Sequence, residues 1–173
     1  MKKYLVALAI LSLVIFASGC ASQEKNYDAN GISFNYPTTW NVTSTTSAAN
    51  MTMVLVTDPD FTNTNGTKGT TVIVFKIPKN TSSNINQVMH QTVQNVTQPG
   101  ETASAIKEVT FNGINANETT FTRKNSDGAQ IQSKVIYFER NNKLCIMMLS
   151  TVSSDFDAQK KNFELILNSF EFE

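Results

Sequence analysis

The sequence predicts an α+β fold, an antiparallel β-sheet with helices packed on its faces. Three observations predict it. Apolar and polar residues alternate along several runs, beginning with Ile32, Phe34 and Tyr36, and this is the period of a half-buried strand. Asn-Gly and Asn-Asn pairs separate neighbouring runs, as tight turns between antiparallel strands do. Two stretches, residues 84–98 and 154–170, repeat their apolar residues at helical spacing.

The first half of the chain is predicted to be mainly strands. The alternating run from Gly31 ends at Pro37, and a second strand follows around Trp40. The runs at residues 51–56 and 72–77 are nearly continuous in apolar or β-branched residues. Such runs are typical of strands covered on both faces. A polar loop is predicted between these two strands.

The first predicted helix starts at Asn84 and ends at Gln98-Pro99-Gly100. Its apolar stripe consists of Ile85, Val88, Met89, Val93 and Val96. His90, the only histidine, lies about 100° or more from the centre of that stripe. We therefore expect a solvated histidine.

Hairpins and a closing helix are predicted for the second half. The paired strands lie at about residues 109–123 and 131–152, with turns at Asn112-Gly113, Asp127-Gly128 and Asn141-Asn142. The second helix is expected to begin at Ser154 as its cap, with Asp157 three residues later. Its apolar stripe consists of Phe156, Phe163, Ile166, Leu167 and Phe170.

The first twenty residues are typical of a lipoprotein signal. Lys2 and Lys3 precede an apolar run at residues 4–16, which Ala17-Ser18-Gly19-Cys20 follows. We expect residues 1–19 to be a cleaved signal peptide, residues 20–28 to be the lipidated Cys20 with a short tether, and residues 29–173 to be the globular domain. Plain secretion and a retained anchor are the alternatives, although the run is shorter than the roughly 20 residues that span a bilayer.

Charge and cysteine content exclude some classes of function. Cleavage leaves 12 basic against 14 acidic side chains, and the basic residues are scattered, which argues against a nucleic-acid surface. With Cys20 lipidated, Cys145 has no intrachain disulfide partner. Its apolar neighbours predict a small buried side chain rather than a nucleophile. The expected location is the extracytoplasmic face of the cell membrane, with lipid rather than charge as the anchor.

Six Asn-X-Ser/Thr triplets could accept glycans in a cell that N-glycosylates its surface proteins. They begin at Asn41, Asn50, Asn65, Asn80, Asn95 and Asn117. Their number is near what this composition gives by chance, so they support an extracytoplasmic location only weakly.

No pattern of residues predicts catalysis, a cofactor or a transition-metal centre. Asp58-x-Asp60-x-Thr62 resembles the start of an EF-hand loop, but Asn63 and Gly69 stand where glycine and glutamate are required. A polar turn is the favoured interpretation, and a loose surface cation site at Asp58 and Asp60 is the alternative. The motifs of serine hydrolases and nucleotide-binding loops are absent from the sequence.

Aromatic residues recur along the predicted strands and could line a pocket for an apolar ligand, although core packing explains most of them more simply. They are Phe34, Tyr36, Trp40, Phe75, Phe111, Phe121, Tyr137 and Phe138.

The segments GISFNYP at residues 31–37 and WNV at residues 40–42, the Asn112-Gly113 hairpin and the ending NSF at residues 168–170 carry a family resemblance. Over about residues 28–173 the chain resembles the PsbP-like domains of the Mog1/PsbP fold. The resemblance implies an α/β/α sandwich around an antiparallel sheet and no reaction. Family members include an extrinsic photosystem subunit and a partner of a nuclear-transport GTPase, and no residue of their binding surfaces can be matched here.

The expected function is that of a membrane-anchored extracytoplasmic lipoprotein, a non-enzymatic binding or scaffold module for another envelope protein. An exposed strand edge is an attractive docking element, because its unpaired amides can add a partner strand. The alternative is a carrier or sensor of a small apolar ligand held between sheet and helix. An enzyme ranks third.

Overall fold

The computed structural model describes residues 24–48, 51–59, 69–79, 84–96, 99–125 and 128–173. The signal segment, Cys20, Asp60 and the triplets at Asn50, Asn65 and Asn80 lie outside the described residues. What the sequence predicts for them stays a prediction.

The described residues form strands and two helices. The strands are β1 (Glu24–Ala29), β2 (Ile32–Pro37), β3 (Asn41–Ala48), β4 (Met51–Thr57), β5 (Thr71–Pro78), β6 (Thr102–Ala103), β7 (Lys107–Phe111), β8 (Ile114–Lys124), β9 (Gln130–Arg140), β10 (Lys143–Val152) and β11 (Glu171–Phe172). The helices are α1 (Ile85–Gln94) and α2 (Lys160–Ser169), and a short 3-10 helix covers Ser153–Asp155.

The strands make two antiparallel sheets. In the described part of the chain, the main sheet has eight strands in the order β3-β4-β5-β10-β9-β8-β6, with β7 also pairing with β8. The small sheet has the order β1-β2-β11. Because β5 pairs with β10 rather than with its successor in the chain, the two halves of the protein meet at the centre of the main sheet.

Each face of the main sheet has its own core cluster. Along β10, Cys145, Met147 and Leu149 belong to the first cluster, whereas Ile146 and Met148 pack against the second. Side chains alternate between the two faces of a strand, so the clusters lie on opposite faces. The first cluster includes residues of α2 and of the small sheet, and the second includes Met89 of α1.

The protein is therefore α+β, mostly antiparallel sheet with two helices, as the sequence predicts. Among the described residues, neither helix is long and apolar enough to cross a membrane.

Turn residues set the strand register where the sequence places hairpins. Asn112 and Gly113 have φ of 43° and 72°, and Asn141 and Asn142 have φ of 51° and 56°. Two-residue hairpin turns of type I′ require positive φ at both positions, which Asn and Gly adopt at little cost. The two predicted turns between strand pairs β7–β8 and β9–β10 are confirmed.

Lys76 of β5 connects the small sheet to the main sheet. Its Nζ donates to the carbonyl oxygens of Asn30 (2.8 Å) and Gly31 (3.2 Å) and lies 5.2 Å from the ring centroid of Phe172. Burial, and then the charge of Lys143, lower the pKa of Lys76. The β1–β2 turn and the end of the chain are therefore held at one buried lysine.

Two boundaries differ from the prediction. Residues 24–28, which the sequence places in a tether, belong to β1, where Tyr27 packs against the first core cluster. Ser154 does not cap α2, which begins at Lys160; the Ser154 hydroxyl donates to the Asp155 carboxylate at 2.8 Å. The 3-10 helix and a turn precede α2.

The interpretation of β4 and β5 as strands covered on both faces is wrong for one face. Val54, Val56, Val72 and Val74 are fully buried against the first cluster. Their alternating neighbours on the other face are only partly buried. Helix α1 packs with residues of β8 and β9 instead, so it leaves this part of the second face uncovered by a helix.

Candidate binding surface

Strand β3 forms one edge of the main sheet. Among the described residues it pairs only with β4, and a bulge between Val42 and Ser44 interrupts the start of that pairing. Thr45, Thr46, Ser47 and Ala48 are all exposed, so the distal part of the strand faces solvent on both sides. An edge strand turns every second backbone N–H and C=O away from its neighbour, where another strand can bind them.

No charge or proline protects this edge. Asp, Glu, Lys and Arg are all absent between Asp28 and Asp58, a segment that includes the whole β3–β4 hairpin. Natural edge strands usually carry lysine or proline or are very short, which prevents pairing with other chains. The neutral β3 edge has neither charge nor proline.

The other described edges are protected in these usual ways. At the opposite side of the main sheet, β6 has two residues and β7 carries the exposed Lys107 and Glu108. In the small sheet, β1 carries Glu24, Lys25 and Asp28. Since these edges are charged or very short, the neutral composition of β3 distinguishes it from them.

An apolar surface, here called the open face, adjoins β3. It consists of Met51, Met53, Leu55, Ile73 and Phe75, of which Met51 is 43% exposed and the others are partly buried. Strand register continues it across the sheet, because Met53 pairs with Phe75 and Phe75 pairs with Ile146.

Helix α1 borders the open face. The side chain of Asn84 caps the helix, accepting from the backbone N–H groups of Asn86 and Gln87 at 3.1 and 3.4 Å. The Asn117 amide of β8 donates to the side-chain oxygen of Asn86 at 3.4 Å. Val88 lies about 200° around the helix axis from Asn86, so it lies on the side of the helix away from the bond to Asn117. Val88 is 47% exposed.

Tyr137 of β9 lies beneath α1 in the second core cluster. It is 1% exposed, and its hydroxyl has no hydrogen-bond partner in the structure. Burial raises the pKa of Tyr137, which keeps the hydroxyl protonated and able to donate. It is in register with Ile146 on one side and with Asn117 on the other.

Polar clefts occur elsewhere on the surface. One of about 440 Å³ lies on the β7–β8 hairpin, with Glu108, Thr110 and Asn117 among its lining residues. Another, of about 460 Å³, is lined by Asn26, Asp28, Ser33, Asn35, Asn112, Asn168, Ser169 and Glu171. Several of these side chains bond one another, as Asn26 does to Asn35 at 2.9 Å.

Three residues that the sequence analysis considered for metal binding or catalysis are described, namely Asp58, His90 and Cys145. Within the described ranges, no group of three or more His, Cys, Asp and Glu side chains could hold a metal ion. Asp58 is described, with its N–H donating to the Thr70 carbonyl at 3.0 Å, whereas Asp60 is not. His90 is exposed, as predicted. Cys145 is fully buried, and burial raises the pKa of its thiol, which suppresses the nucleophilic thiolate.

Three predicted glycan acceptors are described. Asn41 is exposed at the start of β3, and Asn95 is exposed at the end of α1. Asn117 is partly buried and bonded to Asn86. Sequence reasoning anticipated a strand edge in general, and the missing charges between Asp28 and Asp58 could have identified β3 as that edge. Nothing in the sequence could have shown that the Tyr137 hydroxyl lacks a partner.

Comparisons with known proteins find a family model, described as PsbP-like protein, that matches residues 18–172. A search of curated proteins finds no match. Among solved structures, CyanoP from the cyanobacterium Synechocystis superposes with a TM-score of 0.54 at 19% identity, over 90% of this chain and 96% of its own. LpqN from Mycobacterium tuberculosis gives 0.54 at 14% identity, over 86% and 90% of the two chains.

A protein of unknown function from Pseudomonas aeruginosa gives a TM-score of 0.51 at 11% identity, covering 82% of this chain and 92% of its own. At these identities the structural matches show a shared fold. The matched family region begins before Cys20 and continues to Phe172, so it includes every described strand and helix.

Proposed function

The chain belongs to the PsbP-like protein family, and from this premise we propose that it is a lipid-anchored, non-enzymatic module that docks another envelope protein through the β3 edge. The observation that carries the proposal is the neutral, exposed β3 strand in a protein whose other described edges are charged or very short. A partner segment would add to β3 as a further antiparallel or parallel strand, with backbone hydrogen bonds as the main attraction.

The open face gives this docking mode its specificity. Thr46 is in register with Met53, so its side chain lies on the open-face side of β3. A strand added beyond β3 would place every second side chain on that same side. The partner segment is therefore expected to alternate, with apolar residues toward the open face and polar residues away from it.

The anchor would hold this edge near the membrane. Four residue steps separate Cys20 from Glu24, and a fully extended chain of that length reaches about 14 Å. A lipid on Cys20 would therefore keep the domain against the bilayer surface. LpqN, which shares the fold, is described as involved in cell envelope biogenesis, which agrees with a role among envelope proteins.

The finer layering is part of the same proposal. With α1 on one face of the main sheet and α2 on the other, we infer the α/β/α sandwich that the family resemblance implies, with the small sheet added beside α2. The second face would then have two parts, one beneath α1 and one left for binding.

Site-specific photocrosslinking in cells of the source organism tests the proposal. A benzophenone amino acid replaces Thr46 on β3, and the control replaces Thr110, which is exposed on β7 at the opposite side of the sheet. We expect a discrete protein adduct from Thr46 and none of the same mass from Thr110. Absence of an adduct from Thr46, or the same adduct from both positions, would overturn the proposal.

A charge variant provides a second arm. Thr46→Lys places a charge on the edge and should abolish the adduct formed from a probe at Ser44, because a charged edge strand disfavours strand addition. Thr110→Lys is the matched control and should leave that adduct unchanged. Equal adduct yields in the two variants would contradict edge docking.

A further inference from the structure

The Tyr137 hydroxyl is one of three buried side-chain polar atoms among the described residues that have no hydrogen-bond partner. A buried hydroxyl without a hydrogen bond destabilises a protein, and natural structures contain few of them. The surrounding side chains of the second core cluster are apolar, including Met89, Phe121 and Val135. Apart from the weak thioether acceptor of Met89, these side chains cannot accept a hydrogen bond from Tyr137.

An apolar path leads from the open face to this hydroxyl. Met53, Phe75, Ile146 and Tyr137 follow one another across four neighbouring strands, each in register with the next. Three strand spacings give this row a length of about 14 Å. Its outer part is partly exposed, and its inner end lies beneath α1.

Helix α1 covers the inner end with few buried side chains. Met89 is its only buried residue, and Val88 is 47% exposed. The 3.4 Å bond between the Asn117 and Asn86 side chains joins the helix to β8. An outward shift of α1 would expose the Tyr137 hydroxyl.

We propose that this row is a binding site for a single-chain amphiphile. Its apolar chain lies over Met53, Phe75 and Ile146, and an oxygen of its polar end accepts a hydrogen bond from the Tyr137 hydroxyl. The polar end lies beneath α1, beside Tyr137. A neutral oxygen fits better than a carboxylate, since Tyr137 lies among the apolar side chains of the second cluster, where burying a charge is costly. This site is separate from the β3 edge and does not require a protein partner.

Binding of 1-decanol to the Cys20→Ser chain tests the site, because this substitution leaves every described residue unchanged. We expect chemical-shift changes confined to α1, β4, β5, β9 and β10 in amide NMR spectra. Tyr137→Phe should weaken decanol binding by about twofold to tenfold, the range that one hydrogen bond provides. It should leave the weak binding of decane unchanged, since decane has no oxygen.

Matched variants separate the site from a general loss of structure. Tyr27→Phe removes another buried hydroxyl without a partner, outside the second cluster, and should not alter decanol affinity. Ile73→Glu charges the open face beside the row and should abolish binding. Thr45→Lys charges the β3 edge on the opposite face, because Thr45 is in register with Val54. This variant should bind decanol normally, so failure of edge docking and failure of this site are distinguishable.

Three outcomes would overturn the site. Decanol binds Tyr137→Phe and the parent equally well, or Tyr27→Phe loses as much affinity as Tyr137→Phe, or decanol causes no shifts up to its solubility limit. Phosphatidylcholine vesicles provide the last arm. If vesicles alone reproduce the same shifts, the surface contacts a bilayer rather than binding a dispersed single-chain amphiphile.

Discussion

Replacing Phe170 with alanine tests how the small sheet is joined to the main sheet. Phe170 directly follows α2 and is fully buried. Its ring centroid lies 6.4 Å from that of Phe34, 6.2 Å from those of Phe111 and Phe138, and 6.4 Å from that of Phe172. These four rings belong to β2, β7, β9 and β11, so one side chain joins both sheets.

The expected loss is near the upper end of the range for buried phenylalanine. Phe→Ala substitutions in cores destabilise by about 3–5 kcal/mol, and four neighbouring rings cannot all move to fill the cavity. We therefore expect Phe170→Ala to lower the free energy of unfolding by about 4 kcal/mol. This is a large part of the roughly 5–15 kcal/mol by which an ordinary domain is stable. Phe170→Leu keeps most of the volume and should cost about 1.5 kcal/mol or less.

Urea unfolding followed by the fluorescence of Trp40 measures this loss. Trp40 is the only tryptophan, is 1% exposed, and lies in the same core cluster, 6.5 Å from the ring of Phe163. Phe156→Ala is the control, since Phe156 is only partly buried at the margin of that cluster. A loss below about 1 kcal/mol for Phe170→Ala, with an unchanged m-value, would refute the proposed joining role.

Three further predictions concern a thiol, the anchor and a turn. Burial raises the pKa of Cys145, so above about pH 9 the unfolded chain releases a proton that the folded protein retains, and the free energy of unfolding falls with rising pH by up to about 1.4 kcal/mol per pH unit. Cys145→Val should lack this contribution when urea unfolding is measured from pH 8 to 10. The same pH dependence in the variant and the parent would contradict the assignment. Cys20→Ser should abolish incorporation of a labelled fatty acid into the protein, whereas continued labelling would count against lipidation at Cys20. The side-chain amide of Asn112 donates to the Phe170 carbonyl at 2.8 Å, and Asn112 itself has a φ of 43°. In thermal unfolding, Asn112→Ala should be less stable than the parent by about 1–2 kcal/mol, and Asn112→Gly should lose less because glycine adopts positive φ without strain. The reverse order of the two variants would exclude strain at this turn.

Local chemistry made much of the fold predictable. The Asn112-Gly113 and Asn141-Asn142 turns were predictable because few residue types adopt positive φ without strain. Burial of Cys145 followed from its apolar neighbours on a central strand. Asn84 could be placed at a helix start because the apolar period changes there, and its side chain does cap α1.

Long-range pairing explains what the sequence did not show. β1 has the polar sequence EKNYDA, and it is a strand because it pairs along its length with β2. β11 has only two residues and pairs with β2, which lies far away in the chain. Local periodicity contains no information about such partners, so these strands could not be predicted from alternation alone.

The candidate site, like the fold, could be predicted from the sequence only in part. The uncharged segment between Asp28 and Asp58 is visible in the sequence, but only the strand order shows that β3 lies at an edge. Similarly, the apolar run containing Ile73 and Phe75 predicts a strand without telling which face a helix covers. The position of α1 over β8 and β9, rather than over β4 and β5, is a property of the assembled fold.

Amide hydrogen exchange along β3 is the most direct test of the docking edge. In the isolated protein, alternate amides between Thr45 and Ala48 should exchange quickly, because the described residues give this edge no strand partner beyond β4. In the complex captured through Thr46, those same amides should become protected while the amides of β7 remain unchanged. Rapid exchange of β3 amides within that complex would contradict strand addition.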